Sequence, residues 1–374
     1  MLKSHSLCII KADVIFMRKK FFVLTFFCAV AFSRLELSAG SENAEVLECG
    51  ALFGKYTHTQ RGVVSWNGYG AYRPFLNLAE KRFIIPGLCE SFVPQGITFC
   101  ESINSFMLSG YSDDGGAAHI ITIGFTSGRI NGEHKILKSD GSDFTGHSGG
   151  ITSYGRYVYI ADGYTLYYIP VENFTGGSGK VTISGEIRLP VAASYISTYG
   201  GYMWAGNFYH KSFAKNYDVS VTDKYNRLHR TVIAGYRFDS SAEGAIRTDS
   251  DGIENTAVPF AALCAPNEIQ GLAFLGSGDV HLSSSYGRNV MSMQRLYEYP
   301  FKRQCDTVIN LLGRSVPVWF LNNDSLKRAV TSFPMSEGAV CHDGKVYIVF
   351  ESAAKKYRDT ATDPTDCVWE MNWN

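Results

Sequence analysis

Five stretches of the chain repeat one pattern, and that repetition limits the available folds more than any other feature. They read VPQGITFCESINSFMLSGYSD from Val93, HSGGITSYGRYVYIADG from His147, ASYISTYGGYMWAGNF from Ala193, IQGLAFLGSGDVHLSSSYG from Ile269 and SEGAVCHDGKVYIVFESA from Ser336. Each holds a polar residue, a small residue, an apolar run, a tight turn and a second apolar run that ends in polar or small residues. The turn residues Asn104, Gly155, Gly200-Gly201, Gly276-Ser277-Gly278 and Asp343-Gly344 favour hairpins. Third strands are expected in HIITIGF, TLYYIP, TVIAGYRF, VMSMQRLYEY and VWEMNW, and fourth strands in HKILK, GEIRLP, ENTAVPF and LKRAVTSFP.

Four-stranded antiparallel units of this size, with little helix between them, predict the blades of a β-propeller. The fold class is therefore all-β, a single propeller over residues 81–374. Equivalent positions (Gln95, Gly149, Ser194, Gln270, Glu337) are unevenly spaced, which reads as loops inserted into a fixed scaffold. Five blades are expected, and six is the alternative if residues 50–80 or 300–326 supply another. The fifth repeat ends after its third strand, while Lys81–Leu88 is a strand without a blade. Pairing the two would close the ring and remove an open edge.

Composition agrees with that fold and narrows the partners. The 374 residues include 37 Gly, 22 Tyr and 24 Phe, with 45% hydrophobic and 19% charged, a mix of strand and turn formers that can build a large core. The 35 basic and 35 acidic residues cancel, so no overall field attracts nucleic acid. The run Lys355-Lys356-Tyr357-Arg358 is short enough to be a solvated loop.

Met17-Arg18-Lys19-Lys20 followed by the apolar run Phe21–Phe32 reads as a secretory signal, with cleavage expected between Arg34 and Ser41. Residues 1–40 are thus a signal region and 41–80 an N-terminal extension. The protein is expected to be secreted, periplasmic or on the cell surface, without a membrane span after cleavage. Export permits disulfides. Seven cysteines (Cys49, Cys89, Cys100, Cys264, Cys305, Cys341 and Cys367) follow the signal, and their pairing stays open.

Gly146-His147-Ser148-Gly149-Gly150 fits the nucleophile elbow of hydrolases, which needs a helix after the serine. The following residues are β-branched and aromatic with a turn at Gly155, so a strand is expected and Ser148 is read as part of the scaffold.

In a propeller, the loops entering each inner strand and leaving each second strand gather at one mouth of the axis, where function tends to sit. That face would collect Gln95, Asp162, Asn207, His210, Gln270, Arg288, Lys355 and Tyr357 as ligand-binding candidates, with Glu337, Glu351 and His147 as candidate catalytic groups. The expected ligand is a small molecule, a glycan or a protein. Glu337 and Glu351, on adjacent strands of one blade, would also allow a carboxylate pair for glycoside cleavage.

Gln95, Asp162, Asn207 and Glu337 all offer oxygen ligands suited to a hard cation. Converging from several blades, they resemble the axial metal site of the SMP-30, gluconolactonase and paraoxonase propellers. The resemblance implies a divalent cation, calcium foremost, and a Lewis-acid hydrolase of esters or lactones as the alternative function.

Overall fold

The computed structural model describes residues 69–212, 219–249 and 255–374. The signal region and the extension up to residue 68 lie outside the described residues.

The five repeats are the inner hairpins of a five-bladed β-propeller. Inner strands Phe92–Cys100, Gly150–Tyr154, Tyr195–Tyr199, Ile269–Phe274 and Ser336–His342 pair antiparallel with Ser105–Ser112, Tyr157–Pro170, Tyr202–Gly206, Val280–Ser284 and Lys345–Phe350. At each connecting turn a residue takes positive φ: Asn104 at 46°, Gly155 at 57°, Gly200 at 61°, Gly278 at 86° and Asp343 at 49°. Each inner strand packs beside the next around the axis, and the fifth packs beside the first. Strand Ala79–Ile84 is the outer strand of blade 5, paired antiparallel with Cys367–Met371.

Three details depart from the sequence reading. The fourth strand of blade 3 is Pro259–Ala265, PFAALCA, whereas Thr256–Ala257 joins the edge of blade 2 through one parallel bridge to Arg188. Its run of alanines lacks the β-branched signature and strands by burial alone. Residues 300–326 make no sixth blade: hairpin Thr307–Leu311 and Arg314–Phe320 extends blade 3 by pairing parallel with Pro259–Ala265. The propeller body also begins before residue 81. Helix Tyr69–Leu76 buries Tyr72 and Phe75 against blade 5, with Phe75 edge-on to Phe333 at 5.9 Å and tilted to Trp369 at 5.5 Å. Each such ring contributes roughly 1.5–3 kcal/mol by leaving water.

The axis is narrowest at a layer of glycines. A Cβ on Gly338 would lie 2.8 Å from the Gly96 Cα, and one on Gly271 would lie 2.5 Å from the Glu337 carbonyl oxygen. Backbones of neighbouring blades meet where only glycine fits. The space left in this layer, lined also by Gly150 and Tyr195, is 10 Å³, no more than one water. The layer divides the axis into a loop end, where inner strands begin, and a hairpin end, where they turn.

Candidate functional site

The inner strands of blades 1, 4 and 5 are bulged at their first turn of polarity, and the bulges place the polar side chains. Pro94 pairs with Gly110 and Gly96 with Ser109, which leaves Gln95 as an extra residue. Gln270 is extra in the same way between Ile269 and Gly271, and the Glu337-Gly338 step is bulged between Ser336 and Ala339. A bulge interrupts strict side-chain alternation and re-aims the extra residue. The inner strands of blades 2 and 3 keep regular register.

These residues form one chain of contacts across three adjacent blades. Gln95 donates from Nε2 to Glu351 Oε2 at 2.8 Å, and Gln270 donates from Nε2 to Glu337 Oε1 at 3.2 Å. The Glu337 and Glu351 carboxyls hydrogen-bond to each other. Burial is the main force raising both above the ordinary carboxylate range. Mutual repulsion adds to the rise at Glu337, while Gln95, Lys356 and Arg288 offset part of it at Glu351. Two such groups in contact cannot both ionise, so the pair holds a proton near neutral pH.

A second layer stands beside the carboxyls. The Tyr111 and Tyr357 hydroxyls are 2.9 Å apart, and Lys356 Nζ donates to Tyr111 at 2.8 Å while lying 4.7 Å from the centre of its ring. The His147 ring stacks on Tyr111 with centroids 4.5 Å apart, and the Arg288 guanidinium sits 4.8 Å from the Tyr357 ring. Burial first, then the bond to Tyr357 and the charge of Glu351, push the Tyr111 phenol well above its usual value. It therefore stays a neutral donor. Burial lowers the His147 pKa, with Asp162 opposing and Lys356 assisting.

The loop carrying Lys356 and Tyr357 is fixed by long-range bonds. Lys355 N–H donates to the Leu88 carbonyl at 2.9 Å, Thr362 N–H to the Arg288 carbonyl at 3.0 Å and the Tyr72 hydroxyl to Asp363 at 3.0 Å.

The structure thus brings together Gln95, Gln270, Glu337 and Glu351, and groups His147, Arg288 and Tyr357 around Tyr111. The other candidates lie elsewhere. Asn207 is committed to its own blade: Nδ2 donates to the Arg230 carbonyl at 2.9 Å and Oδ1 accepts from Val232 N–H at 2.7 Å. Asp162 lies beside Gly146, where a Cβ would come within 2.5 Å of its Oδ2. His210 stacks on Tyr286 at 3.6 Å and faces Glu268 at 3.6 Å. Lys355 is exposed.

Both amide atoms of Asn207 are thus engaged by backbone groups. Among the described residues no three His, Cys, Asp or Glu side chains gather in one group. Ser148 is followed by strand Gly150–Tyr154 rather than a helix, and is fully buried with φ 52°. Tyr111 was not legible in the sequence. It falls two residues past the polar step at Ser109, and nothing local distinguishes it from the chain's other tyrosines.

Fold and site together define the class: a five-bladed β-propeller with a carboxyl pair at the loop end of its axis. No protein-family model matches the sequence, and neither does any curated protein. Similar solved structures include glutaminyl cyclase from Myxococcus xanthus, at 8% identity and TM-score 0.42, covering 79% of this chain and 95% of that one. The PQQ-bound aldose sugar dehydrogenase of Streptomyces coelicolor is similar at 12% identity and TM-score 0.41, covering 79% and 97%. A gluconolactonase from Xanthomonas campestris is similar at 10% identity and TM-score 0.34, covering 79% and 95%. Blade number here rests on the strand pairing itself. Among the described residues no helix is long and apolar enough to cross a membrane.

Proposed function

We propose that this propeller binds a small polar ligand rich in hydroxyl groups at the loop end of its axis, through Glu337, Glu351, Gln95 and Gln270 and beside the hydroxyls of Tyr111 and Tyr357. The observation that carries the reading is the carboxyl pair of buried Glu337 and half-buried Glu351, each anchored by a glutamine. Desolvating carboxyls costs stability that apolar residues of similar volume would spare, and groups held at such a cost mark functional sites. One proton on the pair supplies both a donor and acceptors, and the two glutamines anchor it.

Calorimetric titration with a panel of neutral mono- and oligosaccharides tests the reading. Saturable binding is expected in the wild type, weakened at least tenfold in a folded Glu351→Gln variant. No binding across the panel, or binding indifferent to both Glu351→Gln and Glu337→Gln, would sink it.

A second reading, hydrolysis of esters or lactones, has one observation in its favour: a carboxyl pair holding one proton offers a general acid and a general base at neutral pH. Turnover of simple lactones, abolished in Glu337→Gln, would establish it. Glycoside cleavage fits less well, because carboxyls in direct contact leave no gap for the sugar or water that such enzymes place between them. We also infer export, from the basic cluster at Met17–Lys20 and the apolar run Phe21–Phe32. N-terminal sequencing of the mature protein should begin between Arg34 and Ser41.

A further inference from the structure

We propose a second binding site at the hairpin end of the axis, separate from the carboxyl layer, for an uncharged small molecule with an apolar body and hydrogen-bonding edges. A cavity of 640 Å³ opens there, lined by residues of all five blades. That volume lies within the range of small-molecule pockets, roughly 300–1,000 Å³. The glycine layer lies at the inner end of this cup and leaves 10 Å³ of space there, about one water.

Its walls are graded. Ile97, Ile151, Ile196 and Ala339 form an apolar ring next to the glycine layer. Thr98, Thr152, Ser197 and Thr198 follow as a row of hydroxyls, with Thr152 donating to Thr198 at 3.4 Å across two blades. Water confined against the apolar ring has few partners on that side, so an apolar group that replaces it gains stability. The hydroxyl row then reads the polar edge of whatever enters.

Charge decides the class of ligand. Among the described residues no Lys, Arg or His lines the cup, and the one carboxylate among them that does, Glu101, has a side chain 82% exposed and faces His342 at 3.5 Å. Burial raises the pKa of the Cys341 thiol, which keeps that lining group neutral. An anion entering the cup would lose its hydration without gaining a partner and would meet Glu101 at the mouth. A cation would find its only countercharge out in solvent.

The probe for the test is N-phenyl-1-naphthylamine, neutral and apolar, with its anionic sulfonated relative 8-anilinonaphthalene-1-sulfonate as the control. Fluorescence titration of the full chain should show one saturable site for the neutral probe and at least tenfold weaker binding of the anion. Thr198→Trp, half-buried on the cup wall, should weaken the neutral probe at least tenfold. Ser153→Trp replaces it should the first variant fail to fold. Glu337→Gln, beyond the glycine layer, should leave the neutral probe unaffected. The inference is overturned by absence of saturable binding, by equal affinity for the anion, by indifference to the folded tryptophan variant, or by a matching loss in Glu337→Gln.

Discussion

Blades 1, 4 and 5 and blades 2 and 3 start from the same repeat and put their polar residues to different uses. In the first group a bulge turns Gln95, Gln270 and Glu337 into a shared layer with Glu351. In the second the register is regular, and the equivalent polar groups serve the backbone: Asn207 bridges Arg230 and Val232, and Ser194 Oγ accepts from Phe208 N–H at 3.4 Å. A polar residue at a repeated position is therefore no guide to function until its backbone register is known. Blades 1, 4 and 5 carry the carboxyl layer, while blade 3 ties its equivalent residues into its own backbone.

The largest expected effect strikes blade 3. Asn207→Leu leaves a buried N–H and a buried carbonyl without partners, each costing roughly 1–3 kcal/mol. Urea unfolding should show a loss of about 2–5 kcal/mol, while ligand affinity per folded molecule stays as in the wild type. If affinity falls as far as stability does, the division between the two groups of blades is wrong.

The next effect runs the other way. Glu351→Gln keeps the shape and neutrality of the protonated carboxyl, so the fold should hold while saccharide binding weakens about 10- to 100-fold, the worth of one hydrogen bond to a charged group. Gln95→Ala removes the amide that anchors Glu351 and should weaken binding by less, about tenfold or under. A Ser194→Ala control in blade 3 should change binding little. Calorimetry on the three variants ranks them, and an effect of Ser194→Ala as large as that of Gln95→Ala would dissolve the comparison.

How much of this was legible in the sequence follows from what is local. The five inner hairpins were readable because turn residues and apolar alternation act over a few positions, and the equivalence of Gln95, Gly149, Ser194, Gln270 and Glu337 survives as a true structural layer. The bulges were not readable. They coincide with Gly96, Gly271 and Gly338, positions where backbones of blades far apart in sequence approach. Hairpin 307–320 likewise joins blade 3 by parallel pairing, which leaves no trace in periodicity. Asn207 reads as a ligand by type, and only its bonds to Arg230 and Val232 reveal a scaffold residue.

The smallest effect is one of pH, and it separates the carboxyl pair from the rest of the fold by sign. Burial raises Glu351 from 4.5 to about 7, so its contribution to stability is complete below the ordinary carboxylate pKa and fades as pH rises through 7. Burial lowers His281 from 6.5 to about 3 and His134 to about 4, so their contribution is complete above 6.5 and fades as pH falls toward those values. Those two histidines stand apart from the carboxyl layer: His281 accepts from Trp373 Nε1 at 3.0 Å, and His134 lies edge-on to Phe174 at 5.0 Å, while His147, also lowered by burial, adds to the acid limb from beside Tyr111. Melting temperature against pH should thus have a neutral limb that falls as pH rises above about 5 and an acid limb below about 6, each a few degrees at most. Glu351→Gln should make the neutral limb shallower, with Glu337 keeping part of it, and leave the acid limb in place. Flattening of both would mean that the carboxyl pair is coupled to the buried histidines through the blades, and the site could no longer be treated as a layer set on an independent scaffold.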